Sequence, residues 1–136
     1  MTESVIIQEI QRGDESLKSA EVLMKANLCL DAMSRVYYAV LHYARALLLL
    51  KGVVPKSHQG VLHLFSLHYV KSGEVSTETG KTLARLQKFR EESDYNVESR
   101  FTEDEVAMEL SDAKNVRKIT LEILRTAGVN FQPITN

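Results

Sequence analysis

The apolar residues of this chain recur at intervals of three, four and seven positions, the period of amphipathic helices rather than of strands. The first apolar stripe consists of Ile6, Ile10, Leu17, Ala20 and Met24. Gly13 falls on the same stripe, where a glycine can bend the helix or admit a close neighbour. Asn27 follows as a residue that tolerates the left-handed conformation and can end this helix.

The same period and the capping residues predict four further helices. Their predicted ranges are residues 28–51, 57–71, 76 or 77 to 94, and 102–126. Ser57 is a natural N-cap for the third helix, and Thr102 opens a capping box for the fifth. Because the connections are short, we expect an all-α, up-and-down bundle of four to five helices. Residues 1–129 are predicted to form one domain, and residues 130–136 a loose tail.

The composition agrees with one globular domain and excludes several classes of protein. The chain has 136 residues, of which 44% are hydrophobic and 26% charged. Its single cysteine, Cys29, cannot form an internal disulfide, which favours a reducing compartment. The N-terminal residues lack the pattern of a signal peptide, and no apolar run approaches the ~20 residues of a membrane span. We therefore expect a cytoplasmic protein without membrane contact.

The net charge of −1 hides an uneven distribution of charged residues. Residues 32–73 contain no Asp or Glu, yet they hold all four histidines and four of the five tyrosines. The basic residues of this acid-free tract are Arg35, Arg45, Lys51, Lys56 and Lys71. Such a tract suits a phosphate-bearing ligand such as RNA or a nucleotide. Alternatively, the tract forms part of the core together with a self-association face, and its positive charges pair with acidic residues elsewhere in the fold.

The second predicted helix carries two stripes. Its apolar stripe consists of Met33, Val36, Tyr37, Val40, Ala44, Leu47 and Leu48. Arg35, Tyr38, His42 and Arg45, spaced by three, four and three, form a second stripe on another face. A stripe of Arg, Tyr and His without an acid is typical of a contact surface. Alternatively, this helix is the central one of the bundle and its neighbours satisfy the Tyr and His side chains.

Two apparent motifs fail when their spacing is counted. Gly73 and Gly80 are separated by six residues, whereas a phosphate-binding loop needs four and follows a strand. His58, His63 and His68 are five residues apart and so point in different directions on a helix. The sequence therefore predicts no metal site and no cofactor.

Four segments stand out along the chain: SRVYYAVLHYARALLLL at 34–50, PKSHQGV at 55–61, VKSG at 70–73 and REESDY at 90–95. Together they resemble the HEPN superfamily of small helical proteins, with the first as its signature helix. Their order and spacing are kept over about residues 17–125. The resemblance implies a bundle of four or five helices that forms a homodimer. It also implies a minimal nucleotidyltransferase as partner, in a toxin–antitoxin or related pair.

The resemblance further implies where a catalytic centre would lie. Active HEPN members are metal-independent ribonucleases with an Arg, four to six residues, then a His near the dimer axis. Arg90 matches the Arg, but Tyr95 stands where the His is expected, and no His follows Arg90 in the chain. A tyrosine, with an ordinary pKa of about 10, is a poor proton acceptor at neutral pH. Arg90, Asp94 and Tyr95 are the candidates for a degenerate centre. Tyr95 lies about 140° around the helix from Arg90 if the helix persists that far. If the helix frays near Asp94, Tyr95 could swing back over Arg90.

These observations lead to two candidate functions. The first is a non-catalytic or weakly active binding module, homodimeric and paired with a nucleotidyltransferase. The second is a ribonuclease toxin with an altered Arg-x4-Tyr centre, in which His42 or His58 could replace the missing His if the fold brings one near Arg90. The predicted ligand- or partner-binding residues are Arg35, Tyr38, His42, Arg45, Lys56, Ser57, His58, Arg90 and Tyr95.

Overall fold

The computed structural model describes residues 2–131, which form an all-α bundle without strands. The helices are α1 (Thr2–Lys25), α2 (Cys29–Leu50), α3 (His58–Phe65), α4 (Thr77–Tyr95) and α5 (Glu103–Thr126). The predicted fold class is therefore confirmed. Most of the predicted tail, residues 132–136, lies outside the described residues, while Phe131 is partly buried against the core.

The helices begin and end at the residues that the sequence marks. Ser57 accepts a hydrogen bond from the Gly60 amide at 3.0 Å, and Ser76 accepts one from Thr79 at 3.2 Å. Thr102 and Glu105 form the predicted reciprocal capping box. Asn27, with φ 62°, adopts the predicted left-handed conformation after α1.

One boundary differs from the prediction, because the third helix does not continue as an α-helix to Lys71. Its α-helical hydrogen bonding ends at Phe65, and residues Ser66–Val70 form a wider π-helical turn. Tyr69 in this turn is fully buried, stacks on Phe65 and donates its hydroxyl to the Leu47 carbonyl. The change in helical period thus coincides with the tertiary contacts of Tyr69.

Helix α2 is the centre of the bundle and packs against each of the other four helices, most extensively against α1. Its predicted apolar stripe is buried throughout. The central position of α2 in the bundle is thus confirmed. Gly13 serves as a close-approach site for it: a Cβ there would lie 2.5 Å from Cε1 of the buried Tyr43 ring. Apolar side chains from all five helices join in one buried cluster.

Ion pairs and hydrogen bonds between side chains join the helices to one another, and the sequence did not reveal these contacts. Arg117 of α5 binds both carboxylate oxygens of Asp14 on α1, at 2.7 and 3.0 Å. Tyr43 of α2 donates its hydroxyl to the same carboxylate at 2.6 Å. Arg85 similarly binds both oxygens of the buried Glu109, at 2.8 Å each, which ties α4 to α5. These planar two-point contacts fix the rotation of the helices about their axes.

Within residues 2–131, the structure has no helix long and apolar enough to cross a membrane.

Candidate functional site

The second stripe of α2 lies partly exposed along one side of the bundle, between α1 and α4. Tyr38, His42 and Arg45 are half-buried, and Arg35 is exposed. The guanidinium carbon of Arg35 lies 5.0 Å from the centroid of the Tyr38 ring. The stripe is therefore neither a solvated face nor core, and its side chains are available for contact with a ligand.

Arg90 of α4 meets this stripe at two tyrosines. Its guanidinium carbon lies 5.5 Å from the ring centroid of Tyr37 and 5.3 Å from that of Tyr38. The two rings pack edge to face at 5.1 Å, and Tyr37 is only 3% exposed. The negative faces of the rings attract the cation and hold its plane in place. The helical period placed Tyr37 on the buried apolar stripe of α2, and in the structure its ring also contacts the Arg90 guanidinium.

His58, the first residue of α3, lies beside Tyr38 as well. Ser57 caps α3, so the chain turns into the helix at His58, whose ring lies 5.8 Å edge-on from Tyr38. Tyr38 consequently touches both His58 and Arg90. Of the two histidines considered as replacements for the missing one, His58 shares an aromatic neighbour with Arg90.

The environment of His58 disfavours its charged form. Partial loss of water contact is the largest cause that lowers the pKa of the His58 imidazole below its ordinary value. The positive charges of Arg90, Arg45 and His42, in that order, lower the pKa further. These causes favour the neutral imidazole of His58, the form that can accept a proton or a hydrogen bond.

An acid from α1 meets the basic stripe. Nδ1 of His42 lies 2.9 Å from Oε2 of Glu9, and Nε of Arg45 lies 3.7 Å from the same oxygen. Because an ionised carboxylate only accepts hydrogen bonds, Nδ1 of His42 carries the hydrogen. The acid-free tract is thus partly neutralised by the fold at His42 and Arg45.

The end of α4 decides between the two positions considered for Tyr95. Tyr95 does not fold back over Arg90, since its side chain is 90% exposed and Tyr37 and Tyr38 supply the rings beside Arg90. The last turn of α4 remains helical through Tyr95, which points the residue away from Arg90. Asp94 does reach Arg90, with Oδ2 3.6 Å from Nη1.

The remaining predicted residue, Lys56, is exposed in the segment before α3. Within residues 2–131 it forms no ion pair. In the same range, no three His, Cys, Asp or Glu side chains come close enough together to hold a metal ion.

Sequence reasoning missed the α1 side of the site. Glu9, Arg12, Ser16 and Ser19 are spaced by three, four and three, the same spacing as Arg35, Tyr38, His42 and Arg45 on α2. This spacing places the four α1 residues on one face of their helix, but every stripe on an α-helix has such spacing, so it does not show which face packs against α2. The sequence alone therefore carries no signal that identifies the α1 residues.

Comparison with known proteins places the chain in a family. Residues 8–124 match the model of the HEPN domain. A protein of Methanocaldococcus jannaschii named "Putative toxin" is 34% identical over 119 residues, covering 85% of this chain and 88% of that protein. A "UPF0332 protein" of Thermotoga maritima is 36% identical over 104 residues, covering 76% of this chain and 79% of the relative.

A second M. jannaschii protein named "Putative toxin" is 32% identical over 87 residues, covering 64% of this chain and 59% of the relative. The family match extends over most of the described helices and includes the whole of α2, α3 and α4. The chain belongs to the HEPN family.

Proposed function

We propose that this protein is an RNA-binding HEPN module with little or no cleavage activity of its own. It acts as a homodimer and pairs with a nucleotidyltransferase in a toxin–antitoxin-like system. The observation that carries the binding part is the position of Arg90, whose guanidinium lies beside the rings of Tyr37 and Tyr38. His58, Arg35 and Arg45 surround the same rings or add positive charge to them.

This arrangement is suited to binding phosphate. A guanidinium held against aromatic rings keeps its N–H groups in a fixed plane, and that geometry matches two oxygens of a phosphate. The Asp94 carboxylate competes for Arg90, but it is half-exposed and its 3.6 Å contact is long. An exposed pair of this kind contributes only ~0.3–0.5 kcal/mol, so a phosphate group can replace Asp94.

The absence of a histidine after Arg90 supports the non-catalytic interpretation. Tyr95 holds the position four residues on, and its ring points into solvent rather than toward Arg90. A phenol at that position is a poor proton acceptor at neutral pH. The Arg-x4-Tyr segment therefore lacks the acid–base group on which cleavage in the family depends.

His58 supports a second candidate function, a ribonuclease with a displaced base. Its ring shares Tyr38 with Arg90, and its lowered pKa favours the neutral imidazole, which can take a proton. In that mechanism His58 would take the proton of the ribose 2′-hydroxyl as its oxygen bonds to the phosphorus. The bond from phosphorus to the 5′-oxygen would break, leaving a 2′,3′-cyclic phosphate, and the 5′-oxygen would take a proton from the protonated His58 or from water. Arg90 would offset the negative charge that grows on the phosphoryl oxygens.

The homodimer and the nucleotidyltransferase partner rest on membership of the family. Two relatives carry the name "Putative toxin", which supports a toxin-like role. The exposed side chains of Tyr95 and Val97 follow Arg90 at the end of α4. An apolar pair so exposed fits the surface at which a second copy would bind.

The proposal is tested by RNA binding in buffer that contains EDTA. Wild type should bind a labelled single-stranded RNA, with affinity that falls steeply between about 50 and 200 mM salt. Arg90→Gln should weaken binding and reduce the slope against log salt by about 0.7. Lys88→Gln removes the same charge from an exposed position two residues earlier and is the matched control.

The same samples decide between the two functions when the RNA is analysed on a gel. Intact RNA supports the binding module. Cleavage by wild type that is lost in both Arg90→Gln and His58→Ala would replace it with the displaced-base ribonuclease. Absence of binding at low salt would contradict both. Co-purification with a co-expressed minimal nucleotidyltransferase tests the partner separately.

A further inference from the structure

A small polar cavity of about 190 Å³ lies between α1 and α2, next to the proposed Arg90 site. It is lined by Arg12, Glu15, Ser16, Ser19, Arg35, Tyr38 and His42. Three of these residues belong to the α2 stripe, and Arg12, Ser16 and Ser19 belong to the α1 stripe that faces it. The cavity is thus enclosed by the two polar stripes of matching spacing.

Ser16 has an unused hydroxyl in this cavity. The residue is only 9% exposed, and within residues 2–131 its side chain makes no hydrogen bond. Gln87 Oε1 is the one buried side-chain polar atom without a partner in this range, so the Ser16 oxygen is not sealed from solvent. The Ser16 hydroxyl is therefore free to donate to a group that enters the cavity.

The charges around the cavity specify an anion. Arg12 and Arg35 form no ion pair with any residue in the described range, and Arg35 is held against Tyr38. His42 adds a third nitrogen-bearing side chain, whose Nδ1 is engaged by Glu9. Glu15 is the one carboxylate that lines the cavity, so two permanent positive charges exceed one negative charge.

We propose that this cavity binds a single phosphate group, through Arg12, Arg35 and the Ser16 hydroxyl. The cavity is smaller than the ~300 Å³ at which pockets begin to hold whole drug-sized molecules, so a base and sugar must lie outside it. This site rests on the proposed RNA-binding function and extends it. Arg35, which lines the cavity, and Arg90 both lie beside the Tyr38 ring, so one RNA strand can contact the cavity and Arg90 together.

The test compares two sources of phosphate, a labelled single-stranded RNA and ATP, on the intact chain in low salt. The variants are Arg12→Gln and Ser16→Ala, with Arg125→Gln in the last turn of α5 as the matched control for loss of one exposed arginine. Alanine is at least as good a helix former as serine, so Ser16→Ala should keep its melting temperature. Both cavity variants should weaken RNA binding, Ser16→Ala by about tenfold because the lost bond goes to a charged group. Arg125→Gln should bind as wild type does.

Three other results have separate meanings. If Arg90→Gln weakens RNA binding while Arg12→Gln and Ser16→Ala do not, the cavity site is wrong and the proposed function stands. If ATP binds with sensitivity to Arg12→Gln but RNA does not bind, the phosphate site stands and RNA as its source is wrong. If neither RNA nor ATP binds wild type at low salt, the site and the RNA-binding function are both wrong.

Discussion

The guanidinium carbon of Arg90 lies 5.3 Å from the centroid of the Tyr38 ring, although the two residues are 52 positions apart on different helices. This contact joins the one arginine of the family motif to the polar stripe of α2. It also places His58 and Arg35 around a common ring. Tyr38 is therefore the residue on which the organisation of the candidate site depends.

Replacing Tyr38 should separate the role of its ring from that of its hydroxyl. Tyr38→Leu removes the aromatic face that holds two arginines, each contact being worth about 0.5–1 kcal/mol when partly exposed. We expect RNA affinity to fall several-fold, as measured by fluorescence anisotropy. Tyr38→Phe keeps the ring and should bind as wild type does. Equal loss in the two variants would show that the hydroxyl, not the ring, is required.

The pKa of His58 should respond to the charge of Arg90. In wild type, NMR titration of the imidazole should give a pKa below the ordinary value of about 6.5. Arg90→Gln removes one of the positive charges that lower this pKa, so the pKa should rise. Lys88→Gln is the control and should leave it unchanged. A His58 pKa that does not move in Arg90→Gln would contradict the proximity of the two groups.

The lowered pKa of His58 also has a consequence for stability. Because the unfolded chain binds the proton more readily, the contribution of His58 to the free energy of unfolding is complete above the ordinary pKa of about 6.5. It is lost as the pH falls through the lower folded-state pKa. In urea unfolding, the free energy of unfolding of wild type minus that of His58→Gln should therefore decrease as the pH is lowered from neutral. A difference that is independent of pH would argue against the lowered pKa.

Alanine at position 13 should destabilise the protein although it is the better helix former. The substitution normally gains up to about 1 kcal/mol in a helix. Here the new Cβ would lie 2.5 Å from Tyr43, whose ring is fully buried and cannot move aside. Overpacking of this kind costs about 1–3 kcal/mol, and denaturant unfolding should show a net loss. Ser111→Ala on the exposed side of α5 is the control, and a stabilised Gly13→Ala would contradict the close approach.

Asp14 and Arg117 should be energetically coupled. Asp14→Ala leaves Arg117 partly buried without its carboxylate, and Arg117→Ala leaves the Asp14 charge with only the Tyr43 hydroxyl, so each should lower the free energy of unfolding by about 1–3 kcal/mol. The double variant should lose less than the two single losses combined. Glu21 and Lys114 also join α1 to α5, at 2.8 Å, but are far more exposed. The same cycle on that pair should give a coupling of at most about 1 kcal/mol, and equal coupling in both cycles would contradict a special role for Asp14.

A dimer that uses the end of α4 should dissociate when Val97 becomes charged. Wild type at micromolar concentration should sediment with twice the mass of the chain, while Val97→Asp should sediment as a monomer. Val54→Asp, at another exposed valine, is the control and should remain dimeric. A wild-type monomer throughout that range would contradict the dimer, and a dimeric Val97→Asp would move its interface elsewhere.

Much of the fold could be read from residues close together in the chain. The period of Ile6, Ile10 and Leu17 predicts the buried face of α1, and Ser57 and Thr102 predict where α3 and α5 begin. Capping and periodicity involve hydrogen bonds and faces within about four residues, so they depend little on the rest of the molecule. The α-helix that stops at Phe65 is the exception, because Tyr69 responds to the distant Leu47.

The candidate site likewise has one part that the sequence predicts and one part that depends on the tertiary structure. The sequence by itself determined the helices, the HEPN resemblance and the α2 stripe with Arg35 and Tyr38. Only the tertiary structure decided that Arg90 rests on Tyr37 and Tyr38 while Tyr95 is exposed, and that Ser16 lines a cavity. These outcomes depend on the rotation and distance of one helix against another. Those quantities are set by packing of the whole core, and no stretch of a few residues contains them.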